Sequence, residues 1–315
     1  MLTAIKSLII VCFIVIVCFF LAWFYLHNKG LSHPHPLFQN GFFKTLGSNE
    51  KSVLLIALRG ESVDFPENTL QAFEAAAALD SNIVLWADVL LSRDGIPVVT
   101  RYQDLSIYGV ENSFVPLLSY AEIQKIDAGF NFQNQNSEFS FRGKGLQIMA
   151  LKQLVEKFPN HRFVINLADD SVGFEGQLVK AIDYNDKTRR FIITSERDKI
   201  LKETRKVAPM LLYGASTPQL TQLMILANLF LESIAPLDSD LLIVENVTEK
   251  VRSSVRIHLN EKMIQEAHRR SLKVFAGNAQ TLEQAQALIQ LGVDGVLTSH
   301  PIAYKSFFEK HDFSR

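Results

Sequence analysis

The chain has 315 residues, too many for a small module and suited either to two domains or to one large α/β barrel of about 250 residues with an appendage. Lysine plus arginine number 32 against 33 aspartate plus glutamate, a formal net charge of −1, so no global field draws the protein to nucleic acid, and no local basic cluster replaces one. The two cysteines, Cys12 and Cys18, both fall in the apolar amino-terminal stretch, which excludes thiol chemistry and disulfides from the rest of the chain.

Residues 8–26 read LIIVCFIVIVCFFLAWFYL, long enough as a helix to cross about 30 Å of hydrocarbon. A cleaved signal peptide has a shorter apolar core, about 7–15 residues, followed by small residues. Here Trp23, Phe24 and Tyr25 stand at that point, so the segment reads as an uncleaved anchor. The aromatic trio suits the far interface, and His27, Asn28 and Lys29 mark the exit into water. Lys6 and the amino terminus are set against Lys29, Lys44 and Lys51, so flanking charge does not choose a side. Residues 1–29 form the anchor, and 30–50, with Gly30, Pro34, Pro36, Gly41 and Gly47, have the composition of a linker.

A folded domain is expected over 51–315. Apolar, β-rich runs at 53–57, 83–89, 163–167, 191–194, 210–213, 241–244, 273–276 and 293–298 predict strands. Helical spacing predicts helices at 69–79, 150–158, 174–184, 198–207, 260–271 and 282–291. Continuous apolar strands alternating with helices argue for a parallel sheet under helices, and eight of them for closure into a (β/α)8 barrel, with an open doubly wound sheet as the alternative. No Gly-rich phosphate loop follows the first strand, which weighs against the open nucleotide-binding form. Residues 129–145, rich in Asn, Gln and Phe, read as a polar insertion.

Ordered blocks along this framework resemble one family. The run Leu54-Leu55-Ile56-Ala57-Leu58-Arg59-Gly60, then Pro66-Glu67-Asn68-Thr69-Leu70 and Ala72-Phe73, is similar to the opening of glycerophosphodiester phosphodiesterases, the phosphatidylinositol phosphodiesterase-like barrels. Asp88-Val89 and Arg93-Asp94-Gly95-Ile96-Pro97 continue the likeness, as do Ile126-Asp127-Ala128-Gly129 and Gly292-Val293-Asp294-Gly295-Val296-Leu297-Thr298 before Pro301. The resemblance implies an α/β (β/α)8 TIM barrel behind one transmembrane helix, with its site on the loops at the carboxyl ends of the strands.

It also implies a divalent cation on three carboxylates and two histidines as acid and base, since Mg²⁺ or Ca²⁺ takes oxygen ligands and imidazole moves protons near neutrality. This chain departs from that set. Leu58 and Arg101 (followed by Tyr102) occupy the histidine positions, and Trp86 and Ala168 two of the three carboxylate positions, while Asp170 replaces a lysine and Asp88 alone remains. A one-residue slip in this last alignment would bring Asp169 to the ligand face instead. The cofactor expectation is therefore none, with Mg²⁺ or Ca²⁺ only if the site has been rebuilt.

Arg59 and Arg101 are the candidate phosphate-binding residues, their guanidinium forks matching a phosphate. Glu67 and Asn68 either line the site or simply cap the helix at Thr69, and Phe275 and Asn278 stand where the family lines its substrate groove, although core packing explains Phe275 equally well. Asp88 and Asp170 against Arg59 and Arg101 suggest a metal-free mouth held by ion pairs. His161, His258, His268 and His300 read as surface residues, and His300, after the last strand, is the one substitute proton carrier in view.

Three functions fit: a pseudoenzyme binding a glycerophosphodiester or phospholipid headgroup at a bilayer, a divergent phosphoric diester hydrolase of glycerophosphodiesters or lysophospholipids in lipid metabolism, and an interaction domain whose mouth is filled by Trp86.

Overall fold

The computed structural model describes residues 2–31, 42–43, 53–184, 190–245 and 259–304. Its first element, α1 (Leu2–Leu31), contains the span Ile5–Tyr25, 21 residues of mean hydropathy 3.0 with none of its most apolar window buried against the protein. At 1.5 Å per residue it reaches about 31 Å, enough to cross a bilayer's hydrocarbon.

Eight parallel strands follow: β1 (Leu54–Leu58), β2 (Val84–Leu91), β4 (Arg162–Leu167), β5 (Phe191–Thr194), β6 (Leu212–Tyr213), β7 (Leu241–Val244), β8 (Lys273–Gly277) and β9 (Gly295–Thr298). A short antiparallel strand, β3 (Pro97–Val99), pairs with β2. The order β6-β5-β4-β2-β1-β9-β8-β7 closes on itself through the parallel bridge between Gly214 and Leu241, giving a near-closed (β/α)8 barrel. The open-sheet alternative is thereby discarded.

Side chains alternate across each strand, and both faces are buried, which is why the strands are apolar throughout. One set, including Ile56, Leu58, Val84, Trp86, Val164, Ile192, Ile243, Phe275 and Leu297, fills the barrel interior. The other, including Ala57, Leu85 and Ile165 on one side and Val274, Ala276 and Val296 on the other, packs under the helices. Gly295 gives Phe275 its room, because a Cβ there would lie 2.6 Å from the Phe275 ring.

The covering helices are α2 (Leu70–Ala77), α4 (Leu151–Lys157), α5 (Phe174–Ala181), α6 (Asp198–Val207), α7 (Thr217–Asn228), α8 (Glu261–Arg269) and α9 (Leu282–Leu291), with a single turn, α3 (Tyr120–Ile123), in the long loop after β3. Helix α7 is absent from the sequence reading. Its residues Leu220, Leu223 and Ala227 are buried while Ile225 is exposed and Met224 and Leu226 are partly covered, so apolar residues lie all round it and blur the helical period. The insertion at 129–145 is less polar than its composition suggests: Phe130 and Phe141 pack on a satellite core that includes Leu105, Tyr108 and Ile126, and Arg142 stacks 3.6 Å from the Phe139 ring centre.

The predicted linker needs correction at Phe42 and Phe43. Phe42 is completely buried in the barrel interior, its carbonyl accepting from Arg162 Nη1 at 2.8 Å, and Phe43 meets Phe275 edge-on at 6.4 Å. Arg162 opens β4, and its Nη2 also donates to Asn82 O just before β2. The two rings therefore plug the amino-terminal end of the barrel, opposite the strand ends that carry a barrel's site. We expect Phe42→Ala to destabilise the barrel by about 3–5 kcal/mol, read from the urea midpoint of the full chain in detergent by tryptophan fluorescence.

Candidate functional site

The site is built around Asp88, 2% exposed on the inward face of β2. Its Oδ1 accepts from Trp86 Nε1 at 2.9 Å and from Asn166 Nδ2 at 2.8 Å. Its Oδ2 faces Asn68 Nδ2 and Arg59 Nη1, each at 3.5 Å. Trp86 lies two residues back on the same strand face, and Asn166 is the register partner of Asp88 on β4. Asn68 also accepts from the Asp88 amide at 3.2 Å.

The loop after β1 is locked into this arrangement. Arg59 N donates to Trp86 O and Asn68 N donates to Arg59 O, each at 3.0 Å, and both residues hold positive φ, 63° and 59°. Gly60 follows at φ 84°, where a Cβ would strike the Ala72 backbone at 2.6 Å. Glu67 does not cap the helix, because the Thr69 side chain does that by accepting from Ala72 N. Instead Glu67 clamps two arginines, with Arg59 Nε at 2.7 Å and Arg101 Nε at 3.0 Å. Arg101 is 43% exposed and lies 4.8 Å from the centre of the Tyr102 ring. Burial and the neighbouring Glu67 carboxylate raise the Tyr102 hydroxyl above its ordinary range.

A third carboxylate joins the cluster from β7. Glu245, a third exposed, brings Oε2 to 3.9 Å from Arg59 Nη1. Burial and the charge of Asp88, with Glu196 adding to them, push its carboxyl from 4.5 to about 7 against the pull of Arg59 and Arg101. Glu245 and Glu196 escape sequence reasoning because each is an acid just beyond a strand end with no motif around it. Asn166 was within reach, as the polar residue in the apolar run of β4.

Other expected positions move apart. Leu58, paired in register with Trp86, is 1% exposed and closes the interior below the site. Asp170 does not face Arg59 or Arg101 but lies 3.8 Å from Arg197 Nε, so the ion-pair cluster is Arg59 and Arg101 with Glu67, Asp88 and Glu245. Asp169 turns to backbone, accepting from Leu91 N and Ser171 N. Ala168 has no ligand atom in its side chain, and its amide donates to Val89 O. Phe275 is completely buried in the lower barrel beside Phe43 and lines no groove. Asn278 Oδ1 accepts from Ser299 N, tying the ends of β8 and β9.

His300 is committed elsewhere: its Nδ1 lies 2.8 Å from Oε1 of the fully buried Glu61, which also accepts from Ile302 N. Glu61, Asp64 and His300 bring one ligand atom each within 4.8 Å of one another. His161 is half-buried against Phe158, His268 is paired with Asp294 at 2.8 Å, and His258 lies outside the described residues.

A divalent cation does not fit the Asp88 site. Mg²⁺ or Ca²⁺ needs several oxygen ligands. Asp88 is the one carboxylate in the expected set, and both its oxygens already face N–H donors, with the Trp86 indole where a ligand oxygen would stand.

The barrel, with polar residues gathered at the carboxyl ends of its strands, defines a TIM-barrel protein. The sequence profile of the Glycerophosphoryl diester phosphodiesterase family matches residues 59–303, and the chain belongs to that family. It is 26% identical over 263 residues to a glycerophosphodiester phosphodiesterase of Caldanaerobacter subterraneus subsp. tengcongensis, covering 79% of this chain and 94% of that one. It is 24% identical over 160 residues to a mouse lysophospholipase D, half of this chain and 47% of that protein. Among solved structures, the glycerophosphoryl diester phosphodiesterase domain of a Mycobacterium tuberculosis protein superposes with a TM-score of 0.69 at 21% identity, covering 82% of this chain and all of that one. An Oleispira antarctica phosphodiesterase in complex with sn-glycerol-3-phosphate superposes at 0.61 and 19%, covering 82% and 97%. These superpositions bear on the fold.

Two predictions follow from the cluster. Asp88→Asn sets an amide against four donors and lowers stability by about 3 kcal/mol, read by denaturant unfolding. For Glu245, the folded chain binds more protons than the unfolded one between pH 4.5 and about 7, so this group's contribution falls as pH rises through that window and the penalty is complete above it. Glu245→Gln is thus expected to raise the melting temperature at pH 8 and leave it unchanged at pH 4.

Proposed function

We propose that this protein is a membrane-anchored member of the family that binds a phosphodiester or phospholipid headgroup at the barrel mouth without efficiently cleaving it. One observation carries the reading: the sole remaining carboxylate of the expected metal set, Asp88, spends its lone pairs on Trp86, Asn166, Asn68 and Arg59. Without a cation to stabilise the phosphoryl oxygens, and with Leu58 and Arg101 unable to shuttle protons, the chemistry lacks both of its means. Arg101, only partly covered, supplies charge-assisted donors at the rim, with Arg59 behind it. The span Ile5–Tyr25 supports the anchor and makes a bilayer the accompanying partner.

A divergent phosphoric diester hydrolase of glycerophosphodiesters or lysophospholipids is the second reading. Glu245 favours it, since a carboxyl near pH 7 can donate and accept protons under ordinary conditions.

The deciding assay is turnover of glycerophosphocholine by the full chain in detergent, with Mg²⁺, Ca²⁺ or chelator. We expect no metal-dependent product and no stoichiometric micromolar binding of either ion by calorimetry. Turnover that requires metal and disappears in Asp88→Ala would establish the hydrolase instead.

A further inference from the structure

The three carboxylates on Arg59 are not equivalent. Glu67 and Asp88 are interior to the ligand-facing rim: one bridges Arg59 to Arg101, and the other is held by three side chains besides Arg59. Glu245 is the outlier at 3.9 Å, on the opposite wall of the barrel and with a third of its side chain exposed. Two guanidinium charges balance two carboxylates when Glu245 is neutral; when it is ionised, three negative charges face two positive ones. An incoming phosphate anion and the Glu245 carboxylate then compete for the same Arg59 edge.

We propose that Glu245 is a proton-operated gate on the mouth: neutral, it leaves Arg59 and Arg101 to a phosphodiester monoanion and donates a hydrogen bond to it; ionised, it occupies Arg59 and repels the anion. This gate rests on the binding function proposed above and adds a ligand class to it. A phosphodiester carries one charge at any pH near neutrality, so it meets the balanced form with the least repulsion, whereas a phosphomonoester gains a second charge near pH 6 to 7.

The groups facing Glu245 fit this role. Asp88 on β2 and Glu196 after β5 hold its proton on, and Arg59 and Arg101, from the loops after β1 and β3, draw it off. Among the described residues, the neighbouring strand ends add no charge, with Gly214 and Ala215 after β6 and Gly277 and Asn278 at β8. Asp170 and His300 are held by Arg197 and Glu61. Its raised carboxyl puts the transition at about 7, within ordinary cellular conditions.

The test is calorimetric titration of the full chain in detergent with glycerophosphocholine from pH 5.5 to 8.5. Affinity should be flat below about pH 6.5 and fall by about tenfold per unit above 7, the slope of one linked proton. Glu245→Gln should bind at pH 8.5 as the unaltered chain does at pH 6, with no slope. Glu196→Gln, an exposed change that removes one repelling charge, should move the transition to lower pH, a shift that mere loss of packing would not produce. Binding that does not vary with pH, or a slope that survives in Glu245→Gln, overturns the gate and leaves the binding function standing. No binding at any pH, by chain and variants that still melt cooperatively, overturns both.

Discussion

A buried carboxylate cannot be left without partners, and the mouth of this barrel is organised by that constraint acting on Asp88. A carboxylate almost sealed from water must be met by donors or by a cation. The indole of Trp86, the amides of Asn166 and Asn68, and the guanidinium of Arg59 meet it. Each of these partners then fixes something further. Arg59 and Asn68 hold positive φ, a conformation costing non-glycine residues of order 1–3 kcal/mol, and their contacts with Asp88 and β2 keep them there. Arg59 in turn orders Glu67, and Glu67 orders Arg101 and Tyr102.

The residues around Asp88 complement one another. Trp86 aims its indole N–H at the Asp88 carboxylate. Ala168 adds no charge, and Leu58 makes the floor beneath the cluster apolar. Arginine, amide and indole donors meet the acids that gather at these strand ends.

The barrel was legible in the sequence because its signals are distributed. Strands buried on both faces must be apolar along their length, and all eight expected parallel strands appear within about two residues of the predicted bounds. The predicted strand at 210–213 shrinks to Leu212–Tyr213, where the barrel is closed by a single bridge to Leu241. Arg59, Glu67, Asn68, Asp88 and Arg101 were recognisable because they sit in ordered blocks, and the structure brings all five together. Asp170 was misassigned to them because charge balance says how many partners are needed and not which ones can reach. Helix α7 was hidden by apolar residues on every side, and Phe42 and Phe43 by glycines and prolines nearby, although a pair of adjacent aromatics in such a stretch is itself a reason to look for a core. Glu245 could not be found from its neighbours in the chain, since its importance comes from Arg59 across the barrel.

The plug formed by Phe42 and Phe43 gives the molecule a polarity. The apolar helix ends at Leu31, and the chain re-enters the described structure at the floor of the barrel, eleven residues later. The first part of the chain described after the helix is thus an aromatic stopper seated in the barrel's own core, at its closed pole. The rim that carries Arg101 and Glu245 lies at the other pole.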